Sequence, residues 1–189
     1  MRIIRDRDGI VGALDRGDAS KLISPNPDAV EAIVFPTNID QLCEILSGTE
    51  YKNNARRISG AQTGLTGGCV PRLGQDRIKE VLIRLDDLLT IPSIPGYETK
   101  IAKDIGDGKR RITYATNGEV FILPAGANLH DRTEILAREG RMFPIHPTSQ
   151  DATVGGTVTT NATGLEGAFG STRDWTELLG IYSAKGRFA

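Results

Sequence analysis

The segment ISGAQTGLTGGCVP, Ile58 to Pro71, constrains this chain more than any other feature. It follows a short strand candidate, Arg56–Ser59, and carries Gly60, Gly64, Gly67 and Gly68. Backbone N–H groups there have little side-chain bulk around them. Such a turn can wrap a phosphate, because successive N–H groups converge on the anion. Thr63 and Thr66 add hydroxyl donors. The competing reading is a tight turn or chain crossing that needs positive φ at glycine. The named nucleotide motifs do not fit. No Lys occupies the P-loop position, and Gly60, Gly64 and Gly67 lack the GxGxxG spacing.

Two further segments have the same character. In HPTSQDATVGGTVTTNATG, Pro147, Thr148 and Ser149 form a small polar corner, and Gly155-Gly156 lets a strand pass close to something flat or bulky. Thr160 and Asn161 can supply hydrogen bonds. An ordinary loop entering a strand is the other reading. The third segment is GAFGSTRDW. The histidines are His130, in a helix pattern and read as a surface residue, and His146, next to the PTS corner. Neither has companions for a metal, and the serines near them lack a nucleophile-elbow context. No metal site and no catalytic residue is assigned.

Composition narrows the class. The chain has 189 residues, 22 of them glycine, and a formal net charge of -1. That charge argues against a dedicated nucleic-acid binder, and 5% aromatics disfavour a stacking platform for single strands. No apolar run is long enough for a membrane span, and charges interrupt the N-terminus too often for a signal peptide. Cys43 and Cys69 read as free thiols, which places the protein in a reducing cytoplasm.

Along the chain, residues 1–25 read as an N-terminal extension with a short helix and a loop, and 26–189 as one domain. Val30–Phe35 is a buried-strand pattern. Thr37 is the expected cap of the next helix, with Asp40 in its first turn; Ile39, Leu42, Cys43, Ile45 and Leu46 share a face, and Gly48 ends it. Val81–Leu85 is another strand. Asn117-Gly118 marks a hairpin between ITYAT and EVFIL. Asn128 caps a helix that Gly140 stops. Val154–Thr160 and Leu178–Ala184 complete the expected strands. The mixture supports an α/β or α+β class.

Taken in order, these segments resemble a known family. ISGAQTGLTGG resembles the RGAGTGLSGG-type loop of FAD-linked oxidases with a PCMH-type FAD-binding domain. PTNIDQLCEIL resembles the helix before that loop. LPAGANLHDRTEILAREGRMFPIHPTSQDATVGGTVTTNATG resembles the second FAD block, and GAFGSTRDWTELLGIYSAKG the strand that follows. The similarity runs from about Asp18 to Gly186 and is greatest to the flavoprotein subunits of D-lactate dehydrogenase and glycolate oxidase.

The resemblance implies an α+β, PCMH-type fold of two α/β lobes clasping FAD. It assigns Gly60, Ala61, Gln62, Thr63, Gly64, Leu65, Thr66, Gly67 and Gly68 to the pyrophosphate. Pro147, Thr148, Ser149, Gly155 and Gly156 lie along the flavin and ribityl chain, with Asn161 and Gly164 as further contacts. In such enzymes a hydride passes from the α-carbon of a 2-hydroxy acid, such as D-lactate or glycolate, to the flavin. An electron acceptor other than oxygen is implied. Some branches attach flavin through a His in the first loop; Thr63 takes that place, so FAD is expected to be noncovalent. Gln62 stands where the family often has Gly, implying a tighter turn. Residues 92–118 are longer than the usual link and are expected to add a hairpin. The family continues beyond this chain with a substrate cap that supplies the catalytic base, so little turnover is expected from residues 1–189 alone. The alternative is a truncated nucleotide-binding or interaction module without turnover, and an enolpyruvyl-sugar reductase is a third option.

Overall fold

A computed structural model describes residues 1–14, 24–72, 77–106, 108, 110–165, 167–181 and 183. The chain divides into two compact units. The first comprises Met1–Asp87 with Ile181–Ala189, and the second Leu88–Gly180.

The first unit is built on four strands and two helices: β1 (Arg2–Ile4), α1 (Arg7–Leu14), β2 (Val30–Phe35), α2 (Ile39–Ser47), β3 (Ala55–Ser59) and β4 (Glu80–Arg84). The sheet order is β1-β2-β4-β3. β2, β4 and β3 run parallel, and β1 is antiparallel on the edge. The two inner strands, VEAIVF and EVLIR, are nearly continuous apolar runs. Such runs suit strands covered on both faces, and Ala32, Ile33, Val34, Val81, Leu82 and Ile83 are fully buried. Ile10 and Leu14 of α1 pack with Val30, Ile33 and Phe35 of β2 and with Leu82 of β4. The expected short leading helix is α1. β1 was not anticipated, because three residues flanked by charges carry no periodic signal.

α2 starts one residue later than the Thr37 cap implied. Asn38 is the cap, its side chain accepting from the Gln41 N–H at 3.0 Å. Thr37 instead bonds the Gln41 side chain through its N–H at 2.9 Å and its hydroxyl at 3.0 Å. Leu42, Ile45 and Leu46 are buried, and Gly48 closes the helix by donating to the Glu44 carbonyl at 2.7 Å.

The second unit holds β5 (Glu98–Ile105), β6 (Arg110–Thr116), β7 (Phe121–Ile122), α3 (Leu129–Arg138) and α4 (Val154–Thr160), followed by short 3-10 turns at Gly167–Phe169 and Thr172–Trp175. The three strands form an antiparallel sheet in chain order. β5 and β6 are the hairpin expected within residues 92–118. Its register is broken between Ala102 and Ile105, where Asp104 has φ 56°. The Asn117-Gly118 signal is a real turn. The Asn117 side chain accepts from the N–H groups of Glu119 and Val120 at 3.1 and 2.8 Å, and Gly118 takes φ 93°.

Asn128 caps α3 in a reciprocal capping box with Asp131, each side chain accepting the other's backbone N–H at 2.8 Å. Asp131 is fully buried and also meets Arg110 at 2.5 Å. Ile112, Ile135, Ile105 and Ala127 centre the core of this unit. At the far end of α3, Glu139 accepts from the Tyr114 hydroxyl at 2.5 Å and from Lys100 at 3.0 Å, tying hairpin to helix.

Two expected strands need correction. Val154–Thr160 is the helix α4, although Val and Thr favour strands. Thr153 caps it, its hydroxyl accepting from the Gly156 N–H at 3.2 Å, and the threonine hydroxyls bond back to carbonyls of the same helix. Local capping and back-bonding thus override β propensity. Leu178–Ala184 carries no strand among its described residues; Leu178 and Leu179 are about half exposed, with no neighbouring strand paired to them. Residues 182 and 184 lie outside the described set.

Candidate functional site

The Gly60–Gly68 loop leaves the C-terminal end of β3, one strand in from which lies the parallel β4. In parallel sheets, ligands bind outside the carboxyl ends of the strands. Ser59, the last residue of β3, sits in register with Arg84, and its carbonyl accepts from the Leu85 N–H at 2.9 Å. The strand ends are therefore fixed where the loop begins.

Two arginines hold the loop. Arg57 on β3 donates through Nη1 to the Gly68 carbonyl at 2.7 Å and grips Glu80 on β4 with its other two nitrogens at 2.5 and 2.7 Å. The hydrogen bonds to Glu80 hold the Arg57 pKa above its ordinary value. Arg84 on β4 donates through Nη1 to Gln62 Oε1 at 3.2 Å and forms a fork with Asp86, through Nε at 3.1 Å and through Nη2. Both guanidinium charges thus face a carboxylate, and the loop is anchored at its Gln62 and Gly68 ends.

Between these anchors the backbone is available. The N–H groups of Ala61, Gln62, Thr63, Gly64, Leu65 and Thr66 donate to no acceptor among the described residues. Gly64, Leu65, Thr66 and Gly68 are exposed, whereas Gln62 and Gly67 are buried. A Cβ placed on Gly64 would meet nothing within 4 Å, so that face of the loop is open. Gln62 has φ 59° and Gly67 φ 68°. These two left-handed residues bracket the Thr63–Thr66 stretch. The Gln62 turn is thus a left-handed residue with a buried side chain.

The second group of expected site residues lies in the other unit. Pro147, Thr148 and Ser149 precede α4; Pro147 and Ser149 are half-buried and Thr148 is exposed. The Pro147 carbonyl accepts from Gln150 Nε2 at 3.4 Å, and the Ser149 carbonyl from the Ala152 N–H at 3.3 Å. Gly155 packs tightly, its N–H on the Ala125 carbonyl at 3.0 Å, and a Cβ there would lie 2.8 Å from Ala125 Cβ. A Cβ on Gly156 would lie 2.9 Å from the Thr153 hydroxyl that caps the helix. Asn161 ends α4 at φ 51°, its side chain accepting from the Arg173 N–H at 3.1 Å. A Cβ on Gly164 would lie 2.8 Å from the His146 nitrogen. These glycines admit neighbouring protein backbone and side chains. His130 is exposed, and His146 is half-buried against Gly164.

Sequence reasoning missed Arg57, Glu80, Arg84 and Asp86. The available signal was a charge at each end of the apolar run EVLIR, next to a strand bearing two arginines. Cys43 and Cys69 are half-buried and are not joined in a disulfide. No group of three metal-ligating side chains occurs among the described residues, and none of the helices there is long and apolar enough to cross a membrane.

A parallel sheet whose strand end opens into an anchored loop of available amides defines a nucleotide-cofactor-binding domain. The family model described as FAD binding domain matches residues 30–189, and the chain belongs to that family. Its relatives include a D-lactate dehydrogenase of Archaeoglobus fulgidus, 28% identical over 167 residues, covering 88% of this chain and 32% of that protein. A D-lactate dehydrogenase of Anaerostipes hadrus is 28% identical over 152 residues, 80% of this chain and 27% of that protein. The chain thus spans about a third of the length of these curated relatives. Among solved structures, cholesterol oxidase from Brevibacterium sterolicum matches with a TM-score of 0.51 at 17% identity, over 78% of this chain and 24% of that one. That likeness concerns the fold, which is the α+β, PCMH-type arrangement.

The first loop fits the diphosphate of FAD. It offers six consecutive amides, an open face at Gly64 and no carboxylate of its own to repel an anion.

Proposed function

We propose that this chain is the FAD-holding part of a flavin-dependent oxidoreductase that oxidises a 2-hydroxy acid, with D-lactate the leading substrate. The observation that carries the cofactor role is the anchored Gly60–Gly68 loop with its available amides. The D-lactate dehydrogenase relatives support the substrate class.

In this reading the amides of Ala61 to Thr66 bind the diphosphate, and the Thr63 and Thr66 hydroxyls supply further donors. Leu65 beside them is 67% exposed. Pro147, Thr148 and Ser149, with Gly156 and Asn161, face the flavin and ribityl chain. Gly155 and Gly164 act by letting Ala125 and His146 close up beside them. Bound FAD supplies the hydride acceptor, while the chain's own residues bind and orient it. Thr63 has no ring nitrogen for a covalent link, so FAD is held noncovalently. The resemblance further implies a substrate-shaping cap with its base, and a separate electron acceptor other than oxygen as a partner. Two cysteines outside any disulfide suit a reducing cytoplasm.

The test is spectroscopic. Purified protein should show visible flavin absorbance, or gain it on adding FAD, and denaturation should release the flavin into the filtrate. In the full-length protein, anaerobic D-lactate should bleach that absorbance. Failure to take up FAD would overturn the cofactor reading; FAD uptake with bleaching by no 2-hydroxy acid would overturn the substrate reading alone.

A further inference from the structure

We infer that Arg84 is a positioning residue for the cofactor loop, and that it works by holding Gln62 in the left-handed conformation on which the amide cradle is built. This rests on the reading of Gly60–Gly68 as the diphosphate site.

Gln62 has φ 59°, a region that costs residues with a Cβ and that glycine enters freely. Something must therefore select it. The Gln62 side chain is only 6% exposed, and Arg84 donates to its Oε1 at 3.2 Å. Arg84 is itself 6% exposed and has little freedom. Its Nε and Nη2 are committed to the two oxygens of Asp86, and its Cζ lies 5.8 Å from the centre of the Phe35 ring. A planar fork fixed along one edge presents its remaining nitrogen in one direction. That direction is Gln62.

Arg84 is also at the right place in the sheet. It pairs in register with Ser59, three residues before Gln62, and β2 flanks β4 on the other side. The loop therefore takes its bearing from a central strand. Because Asp86 balances the buried charge, Arg84 contributes orientation, and anion contact is left to the amides. Arg57 does the corresponding work at Gly68. The pair Gln62–Arg84 replaces by a side-chain contact what a glycine at position 62 would provide by conformational freedom.

The mechanism makes a specific demand: the need for Arg84 should vanish once residue 62 is glycine. The experiment compares Gln62→Ala, Gln62→Gly, Arg84→Met and the combination of Arg84→Met with Gln62→Gly. FAD affinity is measured by titration, and the backbone conformation of residues 61–66 is read without FAD from their NMR chemical shifts. Gln62→Ala and Arg84→Met should each weaken FAD by about 10-fold or more and move the shifts of residues 61–66 away from those of the wild type. Gln62→Gly should lose less affinity than Gln62→Ala, and adding Arg84→Met to it should cost little more. Gln62→Ala keeps the argument testable if Arg84→Met does not fold. Equal losses in Gln62→Gly and Gln62→Ala would overturn the inference, as would an Arg84→Met effect of the same size with either residue at position 62. If wild-type protein takes up no FAD, the cofactor reading falls, and the loop's chemical shifts alone still decide whether Arg84 sets it.

Discussion

Arg57 spans the base of the glycine loop, donating to the Gly68 carbonyl at 2.7 Å while two of its nitrogens bind Glu80 on the neighbouring strand. One side chain thus joins β3, β4 and the returning end of the loop. A guanidinium can do this because its donors lie in a fixed plane; an ammonium is a point charge on a flexible stem.

Arg57→Lys should therefore keep one partner and lose the other. The Glu80 side chain, 9% exposed, has the stronger claim, so the Gly68 carbonyl is released. Chemical denaturation should show a loss of about 1–3 kcal/mol, with weaker FAD binding. Arg57→Met leaves Glu80 without its cation and should cost about 3–5 kcal/mol. Unchanged stability and affinity in the Lys variant would mean the clamp is unimportant.

Gly64→Val separates folding from binding. A Cβ at Gly64 meets nothing within 4 Å, and its φ is not in the left-handed region, so the fold should tolerate the change. The expected shift in melting temperature is within about 4 °C, whereas FAD affinity should drop about 100-fold or more. A folded Gly64→Val protein with normal flavin content would move the diphosphate elsewhere.

Glycine has opposite meanings at two helical positions. In α4, Ala at Gly155 would put its Cβ 2.8 Å from Ala125 Cβ and 3.2 Å from the Ala125 carbonyl, and overpacking of this kind costs about 1–3 kcal/mol. In α1, a Cβ at Gly12 meets nothing within 4 Å, and Gly12→Ala should stabilise by about 0.5–1 kcal/mol. Thermal melts of the two variants should move in opposite directions.

The Tyr114–Glu139–Lys100 cluster should make stability depend on pH at both extremes. Burial, with the hydrogen bond to Glu139, pushes Tyr114 up from 10.0 to about 12. A raised folded-state pKa gives stability that is present below 10.0 and lost as pH rises towards about 12. The Tyr114 hydroxyl, and then Lys100, hold Glu139 below its ordinary 4.5. Its contribution is present above 4.5 and lost as pH falls through the depressed value. Glu139→Gln should flatten the acid limb of a pH–stability curve, and Tyr114→Phe the alkaline limb. Curves parallel to wild type would show that the cluster does not titrate in this way.

Much of this was legible from local pattern. Val30–Phe35 and Val81–Leu85 declared themselves as strands by nearly continuous apolar runs, Asn117-Gly118 as a turn, and Asn128 as a helix cap. The cofactor loop was visible because glycine density reflects backbone demands that are local in sequence. What escaped was set by tertiary partners. TVGGTVTT has the composition of a strand but coils because Thr153 caps it and Ala125 accepts the Gly155 N–H. Gln62 looked like a departure in a glycine motif, and its partner Arg84 lies 22 residues away. No short-range rule connects them; the parallel register of β3 and β4 does.

That same sheet logic bears on how the chain behaves in company. β5 is the outer strand of its antiparallel sheet, and an unpaired strand edge is a template on which another chain can add. Here the edge strand ETKIAKDI carries Glu98, Lys100, Lys103 and Asp104, and its regular spacing fails at the left-handed Asp104. An incoming strand would have to set charges against its own side chains and could not keep register past Ala102. The irregular hairpin is thus poorly suited to taking another strand along β5, where Arg138 already donates to the Lys103 carbonyl at 2.8 Å.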